Sequence, residues 1–551
     1  STTNRDGYRE YKSNPSDCKS CEHLNICTNS KNKQKLVTRH IWQNYKHLKE
    51  LKQRFSSFFS AYCVNSVIIF LQRFFIYTIL IVFIFKFFII LGKEIFIMKR
   101  IDFENGSVTG NILGAALPML VAQVLSLLYN IVDRIYIARI PHVGTTALGA
   151  VGLCFPIVVI ITAFSNLFGS GGAPLFSIKR GMGDSERART IMNTSFSMLC
   201  VSAFLIMTLG MVFAKPLLVI FGASEIALKY AYPYMMIYLI GTLPSMISTG
   251  MNPFINAQGY ATTGMLSVAV GAVSNLILDP VFIFVFDMGI KGAAIATVIS
   301  QIFSALFVFY FLEKKAELKV RFLKRNEFRN SIDYAKNIVS LGTAGFIMQL
   351  TNSLVSICCN HVLSIVGGDV YISVMTIVAS LRQMIETPIY AINEGTSPII
   401  SYNYGAKRPK RVKKGGAVLM TLVIAYTIVL WSVIIIAPKY LILLFTSDTN
   451  LMADAIPALK MYFAAFIFMD LQYIGQTIFK SLNKKKQAIF FSLLRKVIIA
   501  IPLTYILPFM MKLGPQGVFI AEPISNVIGG SICFTTMLLT VLPELKKMEA
   551  N

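Results

Sequence analysis

After Met98 the sequence consists of a regular series of apolar blocks, each long enough to cross a lipid bilayer as a helix. A spanning helix needs roughly 20 mostly apolar residues, and blocks of this length recur along the chain with short polar loops between them. The 551-residue chain is 55% hydrophobic and 14% charged, whereas soluble globular domains are about 25% charged. The pattern predicts an all-α polytopic membrane protein and excludes a soluble globular fold.

Length and periodicity predict twelve transmembrane helices in this region. We place them at residues 112–138, 145–178, 190–213, 230–256, 262–286, 291–312, 337–366, 370–402, 415–437, 454–479, 487–511 and 516–542.

The positive charge of the chain is concentrated in every second loop. A net charge of +25 would suggest nucleic-acid binding in a soluble protein. Here the cations lie mainly after the second, sixth, eighth and tenth spans, at residues 179–189, 314–336, 407–414 and 480–486. Because Lys and Arg in short loops favour the cytoplasmic side, we expect a multi-pass protein of the cell membrane with both ends of the bundle in the cytoplasm and no nucleic-acid partner.

The second half of the bundle repeats the first at a constant spacing. Gly289–Ser300 matches Gly514–Ser525 at an offset of 225, and an offset of 224 relates three further pairs: Phe221 with Phe445, Pro233 with Pro457, and Gly181 with Gly405. Six spans per repeat is an even number, so both copies have the same orientation. The sequence therefore predicts two six-helix lobes, at residues 98–320 and 321–551, related by a parallel pseudo-two-fold axis. Transporters built this way have substrate sites near the midplane between the halves.

Residues 1–97 have a different character and contain four of the nine cysteines. The segment from Tyr8 to about residue 55, with cysteines at 18, 21 and 27, resembles the C-terminal part of DDE-type transposases of bacterial insertion elements. His23 or His40 could complete a zinc tetrahedron with these cysteines, but a remnant without the catalytic carboxylates is not expected to act on DNA. The later cysteines are expected to be buried free thiols.

Residues 56–97 form a hydrophobic stretch rich in Phe, Ile, Lys and Tyr, the residue types that AT-rich triplets encode. Cations flank the stretch on both sides, so the charge rule argues against an extra span. We interpret it as translated intergenic sequence that joins the remnant to a protein beginning at Met98. Detection of residues 1–97 on the expressed protein by intact mass would contradict this interpretation.

Polar residues at helical spacing mark faces of four N-half helices that do not contact lipid. These faces carry Gln123, Ser126, Asn130 and Asp133; Ser245, Ser248, Thr249, Asn252 and Asn256; Ser267, Gly271, Asn275 and Asp279; and Thr297, Gln301 and Ser304. Close helix packing by small and amide side chains is an alternative explanation for the Ser and Gly members. It does not explain the two aspartates.

An aspartate near the bilayer centre costs at least about 2.5 kcal/mol, so such residues are functional-site candidates. Asp133 and Asp279 are the strongest candidates in this sequence. Two carboxylates at one cavity repel each other when both are charged, which favours a shared proton. The same oxygens, with Asn275 one turn from Asp279, could instead bind a hard cation such as sodium. The sequence leaves both open, together with a structural ion pair between Asp133 and Arg134.

Five motifs resemble those of the multidrug and toxic compound extrusion family, and the similarity covers about residues 100–545. The motifs are Leu117-Pro118, Tyr129-Asn130-x2-Asp133, Asn275-x3-Asp279-Pro280, Gly292-Ala-Ala-x2-Ala-Thr297 and Tyr402-Asn-Tyr-Gly405-Ala-Lys. The resemblance implies an antiporter that expels organic cations, drugs or other amphipathic compounds in exchange for protons or sodium. It implies no cofactor besides the coupling ion, and we expect a monomer surrounded by membrane lipid.

The resemblance also assigns site residues. Five residues occupy the positions of the ion and substrate site: Asp133, Asn252, Asn275, Asp279 and Thr297. Pro118 matches the position where the first helix bends. Gln123, Asn130, Glu386 and Glu394 are secondary candidates, and a sodium ion would lie at Asp133, Asn275 and Asp279.

The C half departs from one branch of the family, which has a glutamate in helix seven. Here that helix carries the uncharged stripe Gln349, Asn352, Ser356 and Asn360. Arg382 and Glu386 are spaced to form an ion pair on one helix face, and Glu394 stands where the family often has an amide.

Two other functions are weighed against the antiporter. A flippase for a lipid-linked anionic precursor is the alternative, although it would favour a cavity rich in Arg and Lys, and the cavity candidates here are acidic. The five histidines provide no catalytic or metal-binding pairing within the spans, so an enzyme is not expected.

Overall fold

The computed structural model describes residues 8–12, 36–40, 100–141, 143–323, 328–443, 445–446 and 448–550. The chain divides into two compact units, Ser1–Phe96 and Ile97–Asn551. In the first unit, β1 (Tyr8–Lys12) pairs with β2 (Leu36–His40) as antiparallel strands. The three cysteines that could bind zinc and the hydrophobic stretch at 56–97 lie outside the described residues.

The described part of the second unit is built of helices that run back and forth through the bundle. They are α1 (Val108–Ala138), α2 (Gly144–Gly181), α3 (Ser185–Val212), α4 (Ala214–Ile220), α5 (Glu225–Ile240), α6 (Thr242–Ala257), α7 (Ala261–Pro280), α8 (Gly289–Tyr310), α9 (Phe328–Val366), α10 (Gly368–Gly405), α11 (Pro409–Ile436), α12 (Pro438–Leu443), α13 (Thr449–Tyr462), α14 (Phe466–Ser481), α15 (Lys485–Leu493), α16 (Ile501–Tyr505) and α17 (Gly514–Ala550). Four π-helical segments join or extend them: Val281–Val285, Phe311–Lys315, Leu494–Ala500 and Ile506–Met510.

The helices confirm the predicted membrane fold. Within the described residues, nine helical segments are each long and apolar enough to cross a membrane, and α13 with α14 meets the same criteria as one segment bent by 47°. Together with α10 and the α5–α6 pair, which is interrupted at Gly241, they make the twelve passes that the sequence predicts. The structure differs from the prediction mainly in two ways. Several helices extend beyond their predicted ends, and the fourth and tenth passes are each broken into two helices.

Backbone geometry confirms the internal repeat. Four pairs of residues with left-handed backbone conformation lie one repeat apart: Gly183 with Lys407, Gly259 with Asn483, Asp287 with Lys512, and Gly289 with Gly514. The π-helical segments Val281–Val285 and Ile506–Met510 are also one repeat apart. The protein is therefore an all-α membrane protein with an N-lobe (α1–α8) and a C-lobe (α9–α17).

Each lobe has its own hydrophobic core. Phe176 and Phe254 are fully buried in the N-lobe core, and Phe463 and Phe479 are fully buried in the C-lobe core. The lobes meet where α2 packs against α9 and α10, and where α1 packs against α10. Apolar packing crosses this boundary, because Leu341 of α9 belongs to the N-lobe core cluster.

The lobes touch backbone to backbone near one end of the bundle, which we call the basic end because the four basic loops lie there. A Cβ atom added to Gly181 would lie 2.0 Å from the carbonyl oxygen of Tyr402, and one added to Gly405 would lie 2.0 Å from that of Ile178. We call these four residues the glycine junction. Gly181 and Gly405 are repeat partners, so each lobe contributes the same element to the contact.

The segment that precedes α1 also connects the lobes at the basic end. The guanidinium of Arg411 in α11 donates to the carbonyl oxygens of Phe103 (3.1 Å) and Gly106 (2.7 Å). The backbone N–H of Ile101 donates to the carbonyl oxygen of Gly259 in the N-lobe (3.0 Å). The segment thus holds both lobes by direct hydrogen bonds.

The substitution Arg411→Ala is expected to destabilise this connection. It removes the two bonds to the segment and a third to the Oδ1 of Asn403 (2.9 Å), at a cost of roughly 1–3 kcal/mol. Thermal unfolding of the purified protein in detergent measures the loss. Lys414→Ala is the matched control, because Lys414 is exposed on the same helix; equal unfolding temperatures for both variants would contradict the prediction.

Candidate functional site

Four of the predicted site residues meet inside the N-lobe. Asp133 comes from α1, Asn275 and Asp279 from α7, and Thr297 from α8. The Nδ2 of Asn275 donates to the Oδ1 of Asp279 (3.0 Å) and to the Oγ1 of Thr297 (3.4 Å). The carboxyl groups of Asp133 and Asp279 lie within hydrogen-bonding reach of each other.

Local helix geometry produces this arrangement. Asn275 and Asp279 are four residues apart and therefore lie on the same face of α7, and both α1 and α8 pack against α7. Directly after Asp279 the helix passes through Pro280 into the π-helical segment Val281–Val285. Single π-helical turns are frequent at functional sites.

Two carboxylate oxygens of the site are buried and accept no hydrogen bond from any group in the described residues: Asp133 Oδ1 and Asp279 Oδ2. Asp279 is completely buried. A buried carboxylate oxygen without a partner is costly. A proton between the two carboxyl groups, or a hard cation bound by both, would remove this cost.

Two tyrosines that the sequence analysis did not single out lie beside the carboxylates. Tyr234 and Tyr238 of α5 are near enough to interact electrostatically with Asp133, and their stacked rings are 6.1 Å apart. The Nε2 of Gln301 lies 3.5 Å from the Tyr238 hydroxyl. The sequence signal that could have identified the two tyrosines is their four-residue spacing, which places both on one face of a helix. Aromatic faces attract organic cations.

Arg134 lies near enough to Asp133 to interact with it electrostatically without contacting it. Its guanidinium lies 5.9 Å from the centre of the Phe155 ring, and in the described part of the chain it forms no ion pair with Asp133. The structural ion pair that the sequence left open is therefore absent from this conformation.

Asn252 belongs to a separate polar network. Its Nδ2 donates to the carbonyl oxygen of Gly264 (2.8 Å) and the Oγ of Ser267 (2.7 Å), and its Oδ1 accepts from Asn256 (2.9 Å). The structure thus places it away from the carboxylate pair, on the contact between α6 and α7.

The remaining N-lobe candidates lie along α1. Gln123 and Asn130 are exposed, and the Nδ2 of Asn130 donates to the carbonyl oxygen of Ser126 (2.6 Å). Pro118 lies inside α1, which continues through it from Val108 to Ala138.

Glu394 lies in a small cavity between the lobes. The C-lobe contributes Glu394 and Lys480 to its wall, and the N-lobe contributes Pro174 and Asn256. The secondary candidate Glu394 therefore lines a cavity at the boundary between the lobes.

Glu386 lies in the C-lobe and pairs with Arg382 at 2.5 Å, as their spacing predicts. Arg382 also lies 3.3 Å from Glu522. Two further cations contact Glu522 and were missed by the sequence analysis: Arg495 (3.1 Å) and Lys496 (2.9 Å). The sequence signal that could have identified these two cations is their position inside an apolar span. Charged residues within a membrane span are functional-site candidates by default.

Comparison with known proteins identifies the family. The MatE family model matches residues 118–281 in the N-lobe and 345–506 in the C-lobe, more than half of the chain. The chain belongs to the MatE family. This confirms the resemblance drawn from the motifs, and it makes the protein a membrane transporter and not an enzyme.

Related sequences align over most of the chain. The chain is 23% identical over 405 residues to the multidrug export protein MepA of Staphylococcus haemolyticus, covering 74% of this chain and 88% of MepA. It is 24% identical to MepA of Staphylococcus aureus strain NCTC 8325, covering 80% and 94%. It is 23% identical to an FAD transporter of Shewanella oneidensis, covering 77% and 93%.

Solved structures share the fold. A crystal structure of MATE in the bent conformation superposes with a TM-score of 0.75 at 23% identity, covering 81% of this chain and 98% of that one. An outward-facing multidrug resistance MATE family transporter of the MOP superfamily gives 0.75 at 22% identity, covering 82% and 99%.

Proposed function

We propose that the protein is a multidrug efflux antiporter, which exports organic cations or amphipathic drugs in exchange for protons or sodium. The observation that carries this proposal is the buried pair Asp133 and Asp279, with one unpartnered oxygen on each. Such a pair attracts a proton, a metal cation or the charged group of an organic cation. The two MepA relatives, which are named as multidrug export proteins, support the substrate class.

Competition at this pair explains exchange. When the ion occupies the carboxylates, the positively charged drug is excluded, and the drug in turn displaces the ion. The lobes rock about their boundary so that the site opens to one side at a time. In this proposal the basic end faces the cytoplasm, and the protein acts as a monomer in the cell membrane.

Transport into inverted membrane vesicles that contain the full chain tests this function. A fluorescent organic cation is expected to accumulate when a pH gradient or a sodium gradient is imposed, and collapsing the gradient that drives exchange is expected to release it. The effective gradient identifies the coupling ion. Folded protein that moves no cation under either gradient would contradict the proposal.

A second candidate is the translocation of an anionic compound, such as a lipid-linked precursor, by a flippase. The cation-rich group around Glu522 in the C-lobe favours it, because Arg382, Arg495 and Lys496 outnumber their carboxylate partners. The acidic N-lobe site opposes it. Lipid translocation without cation uptake in the same vesicles would support the flippase.

A further inference from the structure

The C-lobe contains a buried group of five charged residues that the antiport mechanism does not use. Arg382, Glu386, Arg495, Lys496 and Glu522, which we call the C-lobe charge cluster, have side chains that are 1–15% exposed. A single oxygen, Oε1 of Glu522, lies 2.9–3.3 Å from all three cations. The cluster therefore concentrates positive charge around one carboxylate.

The cluster carries more positive than negative charge. Its three cations face two carboxylates, and an uncompensated charge in a protein interior is costly. The Nε–H of Arg495 is also buried and has no acceptor among the described residues. Asp470 is another buried acid of this lobe, but it forms no ion pair with the three cations in the described structure. An anionic group with acceptor oxygens would satisfy both the excess charge and the free donor.

One residue of the cluster corresponds by the internal repeat to a residue of the N-lobe site. The repeat offset of 225 pairs Glu522 with Thr297, which contacts the carboxylate site of the N-lobe. The two lobes thus differ in the charge that they bury, two aspartates in one and a cation excess in the other, although the C-lobe equivalent of Asp279 is the uncharged Thr504. Arg382 and Glu386 lie on α10, the helix that also lines the cavity between the lobes through Glu394.

An irregular helix positions two of the cations. Arg495 and Lys496 lie in the π-helical segment Leu494–Ala500, whereas the equivalent N-lobe residues, 269–275, lie in the regular helix α7. A π-helix has more residues per turn than an α-helix, so consecutive side chains diverge less and both can contact Glu522. Such segments are frequent at functional sites.

We propose that the C-lobe charge cluster is an anion-binding subsite, which recognises the carboxylate of zwitterionic substrates. The substrate carboxylate accepts charge-assisted hydrogen bonds from the guanidinium groups and from the ammonium group of Lys496. The inference rests on the proposed export function and names the part of the C-lobe that binds the acidic group of a substrate that carries one.

Two matched probes test the subsite in vesicles containing the full chain: a zwitterionic rhodamine with a free carboxylate, and its methyl ester, which is a cation. Lys496→Gln is expected to raise the KM for the zwitterion about tenfold, because one charge-assisted contact is lost. The same substitution is expected to change the KM for the ester less than about twofold. Lys439→Gln removes an exposed cation of the same lobe and is expected to change neither.

Glu522→Gln provides a test of opposite sign. Removing this carboxylate increases the positive excess, so the KM for the zwitterion is expected to fall. Thermal unfolding of each variant, and binding of the zwitterion to the purified protein in detergent, separate substrate recognition from folding. A purely structural cluster predicts that both variants are less stable and that both probes are affected equally; that result would overturn the subsite.

The outcomes also separate the two proposals. If the wild-type protein transports neither probe, the export function itself fails. If it transports the ester but not the zwitterion, or if Lys496→Gln alters both probes alike, the export function stands and the anion subsite is wrong.

Discussion

The substitution Asp279→Asn is expected to abolish ion-coupled transport while the protein remains folded. Asparagine has nearly the same size as aspartate, and its amide oxygen can still accept the hydrogen bond from Asn275 (3.0 Å in the wild type). The change therefore removes one charge and little packing. Without the second carboxylate, Asp133 no longer has a partner with which to hold a proton or a cation.

The measurement is gradient-driven uptake of a fluorescent organic cation. We expect the uptake rate to fall about tenfold or more, because one buried charge-assisted interaction is lost. Asp287→Asn is the control, since Asp287 is an exposed acid of the same lobe whose left-handed backbone asparagine also adopts. The unfolding temperatures of both variants should stay close to that of the wild type. Normal coupled uptake by Asp279→Asn would exclude carboxylate competition as the mechanism.

The membrane fold was predictable because the bilayer imposes one length on every span. Blocks of about 20 apolar residues and alternating basic loops are direct consequences of that constraint. The meeting of Asn275 with Asp279 was also predictable, because residues four apart share a helix face. The sequence did not reveal that α5 and α6 separate at Gly241, since hydropathy reports burial in lipid and not a local break in a helix.

Contacts between distant segments were harder to predict. Glu522 is 26 residues from Lys496, and nothing in the spacing shows that a π-helical segment directs both Arg495 and Lys496 towards it. The family resemblance assigns Asn252 to the site, yet its side chain donates a hydrogen bond to Ser267 and not to a carboxylate. In both cases helix packing decides which polar groups meet, and a single sequence does not encode packing in a periodic pattern.

The glycine junction was visible in the sequence only as a repeat match, and the structure shows what the match does. Gly181 and Gly405 let the backbones of α2 and α10 touch at the basic end, where no side chain fits. If the lobes rock during transport, this contact must form and break in each cycle. The junction would then hold the basic end closed while the substrate site is open to the other side.

The substitution Gly405→Ala is expected to prevent this closure and to reduce transport to the background of empty vesicles. The added methyl group would lie 2.0 Å from the carbonyl oxygen of Ile178, and a backbone carbonyl cannot turn aside as a flexible side chain can. Hydrogen–deuterium exchange of the basic ends of α2 and α10 should rise as the lobes separate there. Gly152→Ala is the control. Gly152 lies on α2, the helix that also contains Ile178, and a Cβ atom added there meets no atom within 4 Å. Wild-type exchange and transport in Gly405→Ala would show that the lobes do not close through this contact.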